Sequence, residues 1–356
     1  PLDIAEPWRE LESAQVIRDG AFAHDLIFEV TRASVPMPIA RLLHRRIGVF
    51  LVAHDAPAAS IAPHWADAQE WLLAGDAFVT AARQAGSASQ RGHEVEHWNR
   101  ARACFDSAGE IDRSFDARSE SIPALIVVRG VAFADTVIDE LLREAHTDSQ
   151  RVAALTSRAM AALMAADHSA GIAAAVEAGS LARCLASPWP RFEAARLHAV
   201  GLAQSGRAVE ALSVIEPFRA VVERDGGPEH KARFWSDYAY VLNAFRRLRE
   251  TAFALEQAIE SSRALGDLAE LATLTSNLAT VNGNLGSVGD ALALAQRALA
   301  IHVQLGTTEG PAGGVVETYV GLYSGMLGRY TEALERLDAA VARFERDGQK
   351  TWIAVA

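Results

Sequence analysis

The sequence predicts an all-α fold, a right-handed α-α superhelix built from stacked antiparallel helix pairs. Three observations predict it: an alanine-rich composition poor in aromatics, small residues that return about every forty positions, and turn motifs that return in step with them. Half of the 356 residues are apolar and only 7% are aromatic. Alanine is the strongest helix former, and short side chains let neighbouring helix axes approach closely.

The period is visible in three registers. The small residue of a first helix recurs as Ala159, Ala199, Ala239 and Ala279 at a spacing of 40, and then as Gly321 after 42. The residue opening a second helix recurs as Gly171, Ala211, Thr251, Ala291 and Ala333. A third position recurs as Ala178, Phe218, Ala258, Ala298 and Ala340. The segments QSGRAVEAL, NLGSVGDAL and MLGRYTEAL are one motif, in which Gly206, Gly286 and Gly328 end the first helix. Glycine suits that place because it takes left-handed dihedrals at little cost. A single helix pair buries too little apolar surface to stand alone, so neighbouring pairs must stack into one continuous core. The inner face of such a stack is lined by first helices. The register places Arg196, Tyr240, Asn243, Asn277 and Asn284 on or near that face, and they are the candidate groove residues for a protein or small-molecule effector, Tyr and Arg being frequent recognition residues.

These residues resemble the tetratricopeptide repeat (TPR). Trp235, Tyr238 and Ala239 match the first-helix pattern of that family, and Leu278 with Ala279, and later Gly321, match it in the following units. The unit here is about 40 residues rather than about 34. The resemblance is clear over roughly residues 130–356 and weaker over 70–130, although RGHEVEHWNRARACF reads as a further second helix. The division expected is a winged-helix-like segment over 1–68 and a repeat domain over 69–356. The chain opens on Pro1 and closes at Ala356 inside what reads as a new helix, so it is expected to be a piece of a longer protein, truncated at its C-terminal end.

The first 68 residues depart from the repeat. The pattern predicts a helix from about His24 to Ala33, ending near Pro36 and Pro38, and a second from about Ile39 that carries Leu42, Leu43, Ile47 and Phe50 on one stripe. Three short motifs follow in order: Phe22, His24, Leu26 and Ile27; then Leu43, His44, Arg45 and Arg46; then Ala62, His64 and Trp65. With a repeat stack after it, this order resembles the large bacterial regulators of the STAND class of signal-transduction ATPases, including MalT-like and LuxR-family proteins. In those a nucleotide-binding domain precedes a winged helix and a TPR sensor. The resemblance implies an upstream nucleotide-binding domain holding ATP or ADP, and it marks His24 as a candidate nucleotide-sensing residue, an imidazole being able to donate to a phosphate oxygen.

Several functions are disfavoured. The only lysines are Lys231 and Lys350 and neither follows a glycine-rich loop, so there is no Walker A motif and no cofactor is expected in this piece. A net charge of −11 argues against direct nucleic-acid binding and against an anionic membrane surface. No apolar run reaches the ~18 residues of a membrane span. Cys104 and Cys184 are no disulfide framework or zinc set and read as small buried hydrophobes in a reducing cytoplasm. One chemical motif stands out: His93-Glu94-Val95-Glu96-His97 matches H-E-x-x-H, which puts two histidines on one helical face for zinc with Glu94 as base. A third ligand is not evident, since Arg100 and Ala103 stand where an extended motif needs glycine and histidine. The expected function is therefore a non-catalytic sensor or regulatory module of a larger regulator. A free-standing scaffold or adaptor is the alternative, and a zinc hydrolase at His93 and His97 the remote one.

Overall fold

Left-handed residues punctuate the chain at the predicted interval. Gly206, Gly286 and Gly328 have φ of 75°, 87° and 79°, and Ala166 and Arg246 occupy the same register with φ of 60° and 58°. At each of these points a first helix stops and the second folds back. The computed structural model describes residues 5–18, 21–22, 30 and 34–346.

The chain begins with α1 (Ala5–Ser13), a two-residue antiparallel pairing of β1 (Ile17–Arg18) with β2 (Ala21–Phe22), α2 (Met37–Ala53) and α3 (Ala58–Asp67). The stack follows as α4 (Trp71–Ser87), α5 (Arg91–Ala108), α6 (Ile111–Arg129), α7 (Val131–Glu144), α8 (Asp148–Met164) and α9 (His168–Leu181). It continues as α10 (Trp189–Gln204), α11 (Ala208–Ile215), α12 (Arg219–Asp225), α13 (Pro228–Ala244), α14 (Leu248–Leu265) and α15 (Leu268–Asn284), and ends as α16 (Val288–Leu305), α17 (Pro311–Met326) and α18 (Tyr330–Arg346). Apart from the minute β1–β2 pairing, the described chain is helical, as expected of an all-α superhelix. Residues 70–130, where the motif is weak, nevertheless fold as three helices, α4, α5 and α6, which with α7 make two pairs packed in series with the rest.

The forty-residue register marks the helix crossings. Ala159, Ala199 and Ala279 are wholly buried, as are Ala211, Ala291, Ala178, Ala258, Ala298 and Ala340. At Gly321 the approach is closer still, for a β-carbon there would lie 2.8 Å from Leu337 Cγ. Phe218 is the exception in the third register. It is only half-buried, in a 3-10 turn (Glu216–Phe218) that splits the second helix of its unit into α11 and α12. Pro217 removes an amide donor there, and a phenyl ring replaces the methyl of its equivalents. The ring packs 5.9 Å from that of Phe192. The break turns Glu216 towards α13, where its carboxylate accepts from the Tyr238 hydroxyl. Burial and that bond push the phenol up to about 12.

Leu42, Leu43, Ile47 and Phe50 of α2 form the expected stripe, and all four are exposed. The helix instead packs through Gly48, whose α-carbon side faces the Trp65 indole so closely that a β-carbon would lie 3.0 Å from it. Cys184 is exposed, whereas Cys104 is buried as expected. Ile61, Ala62 and Trp65 of α3 share one apolar cluster with Phe78, Trp98 and Phe105, so the core runs without interruption from α3 into the stack.

Candidate functional site

Stacked pairs of unequal width curve, and the curvature returns the chain to itself: α4 touches α15. Where the two ends of the turn meet, the inner face closes around a cavity of ≈ 660 Å³. One wall is Arg83 of α4, Arg91, Glu94 and Trp98 of α5, and Glu120 of α6. The other is Arg196 of α10, Arg233, Ser236 and Asp237 of α13, Ser262 of α14, and Glu270 of α15.

Ion pairs between successive units build these walls. Arg233 donates to Glu193 at 3.0 Å and to Glu229 at 2.8 Å, while Arg196 donates to Glu193 at 2.6 Å and to Asp237 at 3.1 Å. Burial alone would raise the Glu193 carboxyl, but the flanking guanidiniums of Arg196 and Arg233 outweigh it and hold the group below the usual carboxylate range. At Asp237 the balance reverses: burial wins over Arg196 and lifts its carboxyl. On the opposite wall Arg83 pairs with Glu120 at 2.9 Å and Arg91 with Glu94 at 2.7 Å. Glu270 accepts from the Ser236 hydroxyl at 3.2 Å. Its carboxyl is raised by burial first and by neighbouring Asp267 second. The arrangement is a polar, acid-rich recess with structured walls, suited to holding a ligand by charge and hydrogen bonds.

Among the groove candidates, Arg196 lines the cavity. Tyr240, Asn243, Asn277 and Asn284 are exposed and do not line it. They nonetheless extend its face, because Glu229, Arg233, Ser236, Tyr240 and Asn243 recur three or four residues apart along α13, as do Glu270, Asn277 and Asn284, over whole turns, along α15. His24 lies outside the described residues. Its neighbouring motifs meet in space: His44 Nδ1 is 2.9 Å from His64 Nδ1, and Arg45 pairs with Glu70 at 3.0 Å. In the H-E-x-x-H segment His93 is exposed and the His97 ring is stacked on Phe78 at 6.1 Å. Glu94 points the other way, into the cavity wall, and bonds Arg91. Among the described residues no three His, Cys, Asp or Glu side chains are grouped to hold a metal. Likewise no described helix is long and apolar enough to cross a membrane.

Sequence reasoning missed most of the cavity. Arg83, Trp98, Ser262 and Glu270 sit on helices far apart in the chain and share no fixed spacing. Only the superhelical curvature brings them together, and one sequence carries no local sign of how far a solenoid turns.

No family model and no curated protein matches the chain. Solved structures do. BtubC (BKLC) from P. vanneervenii superposes with a TM-score of 0.53 at 21% identity, over 62% of this chain and 91% of that one. A signal transduction ATPase with numerous domains (STAND) bearing a tetratricopeptide repeat sensor, from Pyrococcus horikoshii, gives a TM-score of 0.58 at 14% identity. That match covers 99% of this chain, which spans about half, 48%, of the other. The Rap protein complexed with competence and sporulation factor gives a TM-score of 0.55 at 11% identity, over 76% of each chain. The likeness at these identities is one of fold, and the fold it establishes is an all-α superhelix of tetratricopeptide-like repeats.

Proposed function

We propose that this chain is the sensor and regulatory part of a larger STAND-type ATPase of the MalT-like, LuxR-family kind, working in the cytoplasm as a transcriptional regulator and binding a protein or small-molecule effector on its inner face. The single observation that carries the reading is the polar cavity where the two ends of the superhelix meet. A solenoid that closes on a recess couples occupancy of that recess to its own curvature, and a change of curvature is what a neighbouring domain reads. Two features support the larger-protein part. The likeness to the STAND structure runs through the segment before the stack as well as the stack itself. In addition, α2 presents Met37, Ile39, Leu42, Val49 and Phe50 to solvent, an apolar face of the kind that an adjoining domain covers.

The test uses the full-length gene product. The reading requires a phosphate-loop domain upstream of Pro1, binding of ATP or ADP by the purified protein, and a weakening of that binding of about tenfold in His24→Ala, the loss of one charge-assisted hydrogen bond. An upstream sequence without a nucleotide-binding domain would leave the free-standing scaffold in its place. That second reading is favoured by the Rap likeness, which covers the two chains equally.

A further inference from the structure

The joint between α2 and α3 holds two titratable rings in direct contact. His44 of α2 and His64 of α3 face each other with Nδ1 2.9 Å from Nδ1, their ring centroids 5.1 Å apart and the planes tilted by 34°. Asp67, one turn beyond His64, brings its Oδ2 to 3.5 Å from the His44 Nδ1, and among the described residues it is the only carboxylate within ion-pair distance of either ring. Around the pair, Arg45 reaches Glu70 at the start of α4, Arg46 is exposed, and Arg41 buries its Nε one turn earlier on α2 without a partner. His54 bonds a carbonyl of its own helix. The charged residues of α4, which packs on α3, are Asp76 and Arg83, and these pair with Arg113 and Glu120 of α6.

Such a contact has a protonation requirement. An N–H···N bond needs a proton on one Nδ1 and a lone pair on the other, which two neutral rings supply when they take opposite tautomers. One added proton is compatible with it, since a His44 imidazolium still donates to the bare His64 nitrogen and has Asp67 as counter-charge. Two are not, because both Nδ1 atoms then carry hydrogen and two like charges face each other across a single carboxylate. Burial first and His44 second lower the His64 imidazole from its ordinary value, with Asp67 opposing them. The second charge is therefore taken up less readily while the rings touch than after they part, and acid favours parting.

We propose that His44 and His64 form an acid-sensitive clasp, which holds α2 against α3 while at most one ring is charged and releases it once both are. The joint suits such a device. α2 packs on α3 through Gly48 against Trp65, with Leu51 reaching the apolar cluster behind, while Ile39, Leu42, Leu43 and Phe50 on its other side are exposed. A helix held by so little apolar contact opens locally before the stack does. With the folded value of His64 depressed, the clasp's contribution is full above about pH 6.5 and is lost as the pH falls through that lower value. The local event stands without any assignment of the chain to a larger regulator. Its consequence rests on that reading: α2 offers its exposed face to an adjoining domain, so its release in acid uncouples that domain from the stack.

The test follows hydrogen exchange of the whole chain, peptide by peptide, between about pH 7.5 and about pH 5, corrected for the intrinsic pH dependence of exchange. Peptides from α2 are expected to lose protection by about tenfold or more in acid, while those from α8, which carries no histidine, keep theirs. His64→Gln and His44→Gln each leave an amide able to bond the remaining ring and remove the second charge, so each should hold α2 across the range. Should either variant free α2 near neutrality, the unaltered chain decides: with isotope-labelled histidine followed by NMR, the two rings must titrate in separate steps and the loss of α2 protection must follow the second. Constant α2 protection in the unaltered chain, an acid loss as large in both glutamine variants as in the parent, a loss shared equally by α8, or a loss that precedes the second step would each overturn the proposal. The larger-regulator reading is decided separately by nucleotide binding of the full-length product near neutral pH, so the two failures are told apart.

Discussion

Arg246 shows how the repeat strains a single residue. It stands where Gly206, Gly286 and Gly328 stand in other units, with φ of 58°, and a side chain in that left-handed region costs about 1–2 kcal/mol. Glycine relieves the strain but loses more entropy on folding, so Arg246→Gly is expected to stabilise the chain by about 0.5–1 kcal/mol, read as a higher midpoint in thermal or urea unfolding. His302 carries the clearest pH effect. Burial lowers its imidazole below the ordinary value of 6.5, and its ring bonds the Thr307 hydroxyl at 2.9 Å. With the folded value depressed, the unfolded chain takes up the proton first. Stability is therefore full above about pH 6.5 and falls as the pH drops from there towards the folded value. The decline in melting temperature between about pH 7.5 and 5.5 should be shallower in His302→Gln. It should not vanish, because His64, His97 and His198 are lowered by burial in the same direction. An unchanged slope in the variant would show that His302 does not contribute.

At the scale of the element, the helix crossings are the feature most legible in the sequence. A methyl group or hydrogen returns every forty residues because two helices touch there, and that constraint acts locally, so composition records it. Ala239→Trp forces a large ring into the crossing of α13 and is expected to destabilise by about 1–3 kcal/mol through overpacking, with the melting temperature as the measurement. An equal-sized change at exposed Ala264, on α14, should cost little. Elements whose surroundings are not local were less legible. The apolar stripe of α2 has helical period but faces outward, since periodicity says which residues share a face and not what covers it. The split of α11 from α12 had its sign in Pro217 and Phe218, both at odds with their register, yet the repeat pattern alone reads as one unbroken helix. In the cavity, Arg196 was legible because it lies on a first helix at a groove position. Trp98 was not, because it lies on a second helix, α5, whose inward turn depends on the closure of the ring.

For the whole molecule, the decisive property is how far the stack curves. Each pair contributes a small rotation, and over the chain those rotations return α4 to α15. Both the shape of the cavity and any coupling between its occupant and neighbouring domains depend on that return. An open solenoid with the same helices and the same buried alanines would separate Arg83 and Arg91 from Asp267 and Glu270, and the site would cease to exist. Closure is tested most directly by cross-linking across the seam. With Cys104→Ala and Cys184→Ser removing the native thiols, Gln84→Cys on α4 and Leu268→Cys on α15 face the same groove between the two ends. A short bismaleimide should join them within one chain, giving a species of altered gel mobility whose linked peptides are identified by mass spectrometry. Fast, high-yield intramolecular linkage at low protein concentration is the predicted result. Failure of this pair to link, while a control pair within α4 and α5 links readily, would contradict the closed superhelix.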